Sequence, residues 1–348
     1  MGTFMGPAAS RRRTARLLIG VLATGLVLAT TPAAISSADA DPDAAIAAPD
    51  GSHLVSLTLG EGRRADAEVY SAAMNKNIPL KLLIAPGDEP RPTLYVLDGV
   101  GGAEPENGIL DWADAAEFYE TKDVNVVATV GGDSSYFTDW QKDDPELGRN
   151  QWATFLTEEL PPIIDSTLNT TGKNAIVGLS MSATSVLALS IKSPDLYEGV
   201  ASFSGCAQTS DPLGRAYVWI TVANFGGNPD NMWGKPDDPA WEANDPYLHA
   251  AGLRGTALYI ANASGLPGQY DNLEADNVDG EVSQLIAQLT AGGVIEAATN
   301  QCTHNLKSRL DSLGIPATYN LKDRGTHSWD YWRDDVHDSW PVLEKSIN

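Results

Sequence analysis

A chain of 348 residues with 46 acidic and 23 basic side chains carries a formal charge of −23, and no basic stripe of the kind that holds nucleic acid is present. That acidity suits the well-solvated surface of a soluble exported protein. The five histidines are scattered and no His-Glu-x-x-His or Cys-x-x-Cys pattern occurs, so no metal and no organic cofactor is implied.

The N-terminus explains itself before any folding argument. Arg11, Arg12, Arg13 and Arg16 form a basic region, residues 17–29 are an apolar run too short to span a bilayer well, and "ADA" at 38–40 is a small-x-small cleavage site. Residues 1–40 therefore read as a secretory signal peptide, with no transmembrane segment left after its removal. Losing them takes away four arginines and one aspartate, a net +3, and moves the charge from −23 to −26. The two cysteines, Cys206 and Cys302, are an even count in an exported chain and favour a disulfide closing a long loop.

Residues 41–51 look like a disordered lead-in, and 52–348 shows no linker, repeat or composition break, so it reads as one domain. Strands are expected at 54–59, 67–72, 80–85, 93–98, 124–130, 174–179, 199–204, 256–261 and 316–321, where short runs rich in Val, Ile, Leu and Tyr are bounded by Gly, Pro and Asp. Helical spacing fills 150–168 and 181–192. From residue 93 onward this is strand-helix alternation, the pattern of a mostly parallel sheet covered on both faces, while the earlier runs suit an antiparallel edge. Residues 206–252, rich in Gly, Pro, Asn and Trp, interrupt the alternation after a strand and read as a lid or substrate wall.

"GLSMSAT" (178–184) sits between the strand ending at Leu179 and the helix beginning at Met181, the strand-turn-helix setting of a nucleophile elbow, although Ser182 stands where the second glycine of Gly-x-Ser-x-Gly belongs. Ser180 is thus either a nucleophile or an ordinary serine capping a helix. A serine nucleophile needs a base. His327, in a loop directly after the strand 316–321, is placed for that role, whereas His337 falls in a helix and His249 and His304 stand out little. For the acid, position just past the strand 256–261 favours Asp271, while Glu296 in a helix would ordinarily be a solvated residue.

The segments "YVLDGVGG" (95–102), "VGGDSSYFTDW" (130–140), "GLSMSA" (178–183), "NMWG" (231–234), "DPAWEANDP" (238–246) and "GTHSWDYW" (325–332) together resemble the secreted mycolyltransferases of the antigen 85 type and their corynebacterial relatives, over nearly the whole mature chain. The resemblance implies an α/β-hydrolase fold, an elbow that carries serine in place of its second glycine, and a Ser180–Glu296–His327 triad, which moves the acid from Asp271 to Glu296, six residues before Cys302. It implies an oxyanion hole from the Val100 and Met181 amides and a sugar site lined by Asp98 and Trp329. One departure is Gly101, where the mycobacterial members carry arginine. The implied activity moves a mycoloyl group from trehalose monomycolate to a sugar hydroxyl, on trehalose monomycolate or cell-wall arabinogalactan, through an acyl-enzyme. A secreted esterase handing the acyl group to water and an inactive wall-associated binding protein are the alternatives.

Overall fold

Among the described residues, nine strands form where the apolar runs put them: β1 (His53–Leu59), β2 (Arg64–Ser71), β3 (Lys76–Leu83), β4 (Arg91–Leu97), β5 (Asn125–Thr129), β6 (Thr170–Leu179), β7 (Gly199–Phe203), β8 (Ala257–Ala263) and β9 (Thr318–Lys322). The computed structural model describes residue 48 and residues 50–103 and 108–348. The expected signal peptide and most of the lead-in lie outside the described residues. Ala48 is buried in the core and its carbonyl accepts the Gly51 N–H (3.1 Å).

The strands make a single sheet in the order β1-β2-β3-β5-β4-β6-β7-β8-β9. The pairs from β1 to β5 are antiparallel, as the closely spaced early runs suggest, and every pair from β5 to β9 is parallel. β5 and β7 are buried at every position, which only a sheet covered on both faces allows. One face is covered by the helical stretch 152–168, with Trp152, Phe155 and Leu160, and by helix Met181–Lys192, with Val186 and Leu189. The other carries Ile109, Tyr119 and helix Trp329–Ile347, with Val336, Trp340 and Leu343.

The chain runs from β4 outward to β5 and then back past β4 to β6, so the strand order reverses between β4 and β6. Open parallel sheets leave a crevice beyond the carboxyl ends of the strands at such a reversal. Ser180 follows β6 and residues 98–102 follow β4, and the two strand ends are in register, Leu97 opposite Gly178.

The interruption at 206–252 is a set of short helices between β7 and β8. Its first helix, Pro212–Ala223, begins with Asp211 accepting the Leu213 and Gly214 N–H groups at 2.9 and 2.8 Å and with proline in the first turn, both ordinary N-terminal signals. Trp233 and Trp241 pack edge to face at 5.3 Å and give the insertion its own floor. Cys206 and Cys302 are bonded, with Cα atoms 5.0 Å apart, so the start of the insertion is tied to helix Gly293–Leu313.

Candidate active site

Ser180 follows β6 with φ 56° and ψ −117°, a backbone region that a non-glycine residue occupies only when its surroundings impose it. Two features impose it here. The Ser180 N–H is held by the Phe203 carbonyl at 2.8 Å, and at Gly178 any Cβ would stand 2.5 Å from the Ser182 carbonyl oxygen. Ser182 explains the departure from the elbow pattern: its hydroxyl accepts the Leu179 N–H (2.9 Å) and donates to the Leu97 carbonyl (2.9 Å), pinning the ends of β4 and β6 together. A glycine there would leave the Leu97 carbonyl without this donor.

The capping role for Ser180 does not hold, since its hydroxyl makes no bond to the helix that follows. It lies 2.8 Å from His327 Nε2 instead. His327 Nδ1 is 2.8 Å from Glu296 Oε2. The histidine sits on the loop after β9, where its own N–H is held by the Gly292 carbonyl at 3.3 Å. That carbonyl belongs to the π-helical turn Gln288–Gly292 that leads into helix Gly293–Leu313; such turns free a backbone acceptor from the regular ladder. Trp332 packs edge-on against the imidazole with ring centroids 4.8 Å apart.

Glu296 is 1% exposed, in the first turn of its helix. Its Oε1 accepts three further bonds, from Ser204 Oγ (2.9 Å), Asn262 Nδ2 (2.7 Å) and the Ala263 N–H (2.7 Å). Ser204 in turn takes the Trp332 indole N–H at 3.0 Å. A carboxylate so enclosed is fixed in place and can direct Oε2 only at the imidazole, which sets the tautomer with Nε2 free to accept a proton.

Asp271 lies elsewhere. It accepts from Gly268 N (2.6 Å), Gln288 Nε2 (2.8 Å), Thr326 Oγ1 (2.6 Å) and Tyr331 Oη (2.7 Å), and does not touch His327. It braces the histidine's loop through the residue before it. Of the other histidines, His337 stacks on Phe118 at 4.1 Å and His249 Nε2 pairs with the Glu242 carbonyl at 3.0 Å.

A Cβ at Gly99 would come within 3.6 Å of the Ser180 Cβ, so the loop after β4 lies against the serine and Val100 follows that contact. Among the described residues the Val100 and Met181 amides have no hydrogen-bond partner. Amides left free beside a nucleophile are what an oxyanion requires. Asp98 is 2% exposed, with Oδ1 accepting the Ile109 N–H (2.9 Å) and Oδ2 buried without a partner among the described residues. Burial, with a smaller push from the Asp111 charge, raises its pKa to about 8 despite the opposing Ile109 bond. Trp329 is half-buried, 5.0 Å from Trp332 and 6.4 Å from Trp112. At Gly101 an added Cβ would meet only the Phe225 ring, at 3.8 Å. Among the described residues no three His, Cys, Asp or Glu side chains are grouped to hold a metal ion.

Residues 71–341 match the family model described as putative esterase. The chain is 33% identical over 296 residues to the diacylglycerol acyltransferase/mycolyltransferase Ag85A of Mycobacterium leprae, covering 80% of this chain and 82% of that protein. The Ag85B of Mycobacterium avium is 31% identical over 290 residues, with the same two shares. The chain belongs to the Ag85 mycolyltransferase family of putative esterases. Solved structures agree on the α/β-hydrolase fold of this family: Mycobacterium tuberculosis MPT51 superposes with a TM-score of 0.64 at 21% identity, over 80% of this chain and 96% of that one. An S-formylglutathione hydrolase from Agrobacterium tumefaciens superposes at 0.60 and 14% identity, over 85% and 99%.

Sequence reasoning missed the side chains that hold the Glu296 carboxylate, Ser204 and Asn262. A signal for Asn262 exists: it is the one amide inside the otherwise apolar run 257–263, and a buried polar group there must have a partner.

Proposed function

We propose that this chain is a mycolyltransferase-type serine acyltransferase that takes a mycoloyl group from a trehalose mycolate and hands it to a sugar hydroxyl. The observation that carries the reading is the hydrogen-bonded line from Ser180 through His327 to Glu296, at 2.8 Å and 2.8 Å, in a chain of this family. Ser180 Oγ attacks the ester carbonyl as its proton passes to His327 Nε2, and the carbonyl oxygen takes up charge facing the Val100 and Met181 amides. Collapse expels the trehalose oxygen, which leaves with the proton from His327, and the acyl group stays on Ser180. The acceptor hydroxyl then gives its proton to His327, attacks the acyl-enzyme, and restores the serine when His327 returns that proton to Oγ. Glu296 holds the imidazole and offsets its charge in both halves.

Trp329 supplies an aromatic face for a sugar ring in this reading. Asp98 meets the sugar through Oδ2, which no described group holds, while Oδ1 keeps the Ile109 amide. The inward side of the insertion at 206–252, away from Trp219 and Ile220, forms one wall. Acceptors are trehalose monomycolate and cell-wall arabinogalactan, which fits an exported protein whose first 40 residues direct secretion. No helix among the described residues is long and apolar enough to cross a membrane.

The test is mass spectrometry of the protein after incubation with trehalose monomycolate or a short-chain analogue, with and without added trehalose. An acyl adduct on Ser180 that clears faster with trehalose and yields a new glycolipid supports transfer. An adduct that clears only to free acid makes the protein an esterase, and no adduct with any donor leaves a binding protein.

A further inference from the structure

Helix Pro212–Ala223 is apolar on both sides. Val218 and Val222 are buried, yet the outward face carries Leu213, Trp219 (55% exposed) and Ile220 (66% exposed), and Arg215 is the only charged side chain between 212 and 229. A helix apolar all round does not normally face water. A second segment behaves alike. Val282, Ile286 and Val294 are exposed, the last by 72%, and over residues 282–298 the single ionisable side chain is the buried Glu296. In a chain with 20% charged residues and a formal charge of −23, each of these stretches holds a single charged side chain, as sparse as the β1 edge strand with its exposed Val55, Leu57 and Leu59.

Both stretches touch the site. The first helix rests on the loop after β4: Ser134 Oγ donates to the Thr221 carbonyl (2.8 Å), Ser134 N–H donates to the Val100 carbonyl (2.9 Å), and Phe225 just beyond the helix faces Gly101. The second rests on the histidine loop through the Gly292 carbonyl. One apolar stretch therefore adjoins the Val100 side of Ser180 and the other the His327 side.

We infer that these two stretches are a docking surface for an aggregated amphiphile with uncharged sugar headgroups, which seats the protein on its lipid so that the acyl ester reaches Ser180 without crossing water. Continuity with the serine on both sides argues for a substrate surface rather than a distant partner. The exposed tryptophan suits an interface between headgroup and chain, and with Arg215 the one basic side chain on the two stretches of a strongly anionic chain, a neutral lipid is favoured over an anionic one. The inference rests on the acyl-transfer reading.

Two double variants test it, Trp219→Ser with Ile220→Ser and Val282→Ser with Ile286→Ser, assayed on dissolved p-nitrophenyl butyrate and on p-nitrophenyl palmitate in neutral detergent micelles. The expected result is a loss of about tenfold or more on micelles with less than about twofold change on the dissolved ester, because each side chain withdrawn from lipid forfeits its transfer free energy. The wild type should also float with phosphatidylcholine vesicles carrying a synthetic trehalose diester and float less when phosphatidylglycerol is added. Equal losses on both esters, an unchanged micellar rate, or a dimer that the substitutions convert to monomer would each overturn the docking surface. Failure of the dissolved ester to acylate wild-type Ser180 would overturn the acyl-transfer reading itself.

Discussion

Two acidic side chains brace the same histidine loop, and they differ in what their last lone pair meets. Around Glu296 three donors occupy one oxygen and the His327 imidazole takes the other. Around Asp271 all four donors are structural, from a loop amide, a glutamine, a threonine and a tyrosine. Both carboxylates are satisfied, and one of them faces the imidazole. Position in the chain therefore says little about which is the acid. The donor sets differ, and of the two carboxylates only Glu296 has an oxygen on the imidazole, the contact that the proposed triad requires of its acid.

Removing the nucleophile bounds this comparison. Ser180→Ala should abolish the acyl adduct and lower kcat by on the order of ten-thousandfold or more, since triad members act as a unit; a trapped adduct in that variant would move the nucleophile elsewhere. Glu296→Gln comes next. Its amide nitrogen would point a donor at the imidazole or at the Ser204, Asn262 and Ala263 cluster, and kcat should drop by roughly a thousandfold or more with little change in KM. Asp271→Asn disturbs only the brace, and about tenfold in kcat/KM is expected, with lower thermal stability from its two mismatched donors. Steady-state kinetics of the pair settle the ranking: a larger loss for Asp271→Asn would hand the acid's role back to it.

The disulfide sharpens the same contrast, because it anchors the Glu296 helix from its far side. Replacing Cys206 and Cys302 by alanine opens a loop with a sequence separation of 96 and should cost roughly 2 to 4 kcal/mol in unfolding free energy. Glu296 keeps its bonds to Asn262 and Ala263, so kcat/KM at low temperature should stay within about threefold of the wild type. A kinetic loss as large as that of Glu296→Gln, in protein shown folded by circular dichroism, would make the bridge part of the site.

Much of this was legible in the sequence because burial on both faces leaves continuous apolar runs, and β4 to β8 are such runs with their turn residues beside them. The elbow was legible for the same reason, as the join of one strand and one helix. Glu296 was not. Its neighbours Ile295 and Ala297 read as an ordinary helix, and what buries it is the passage of that helix over the end of β8, a tertiary fact without a local signature. The family resemblance supplied the residue, and Asn262 and Ser204 supply the physical reason. The outward apolar face of Pro212–Ala223 was hidden for the opposite reason: apolar spacing in a sequence predicts burial, and there the second face has nothing over it.

Asp98 is a third acidic group, and it breaks the pattern of the other two, since Oδ2 is buried with no partner among the described residues. Its pKa, raised by burial from 3.8 to about 8, means that the folded protein holds this proton more tightly than the unfolded chain does. The sign follows from that. Below the unfolded value the group is neutral in both states and costs nothing electrostatically; between about 4 and 8 the unfolded chain gains by releasing the proton, so stability falls as pH rises, by up to about 1.4 kcal/mol per unit. Asp335, raised to about 7 chiefly by burial against the opposing Lys322 charge, adds a slope of the same sign and bounds how much Asp98 alone can account for. Asp98→Asn keeps an acceptor for the Ile109 amide and has no proton to release. Urea unfolding at several pH values should therefore show a shallower decline for the variant, with the largest gain over wild type near pH 8 and little difference near pH 4. Parallel curves for the two proteins would mean that Oδ2 has a partner in solution, and the most direct candidate would be the sugar site proposed beside it, opened to water.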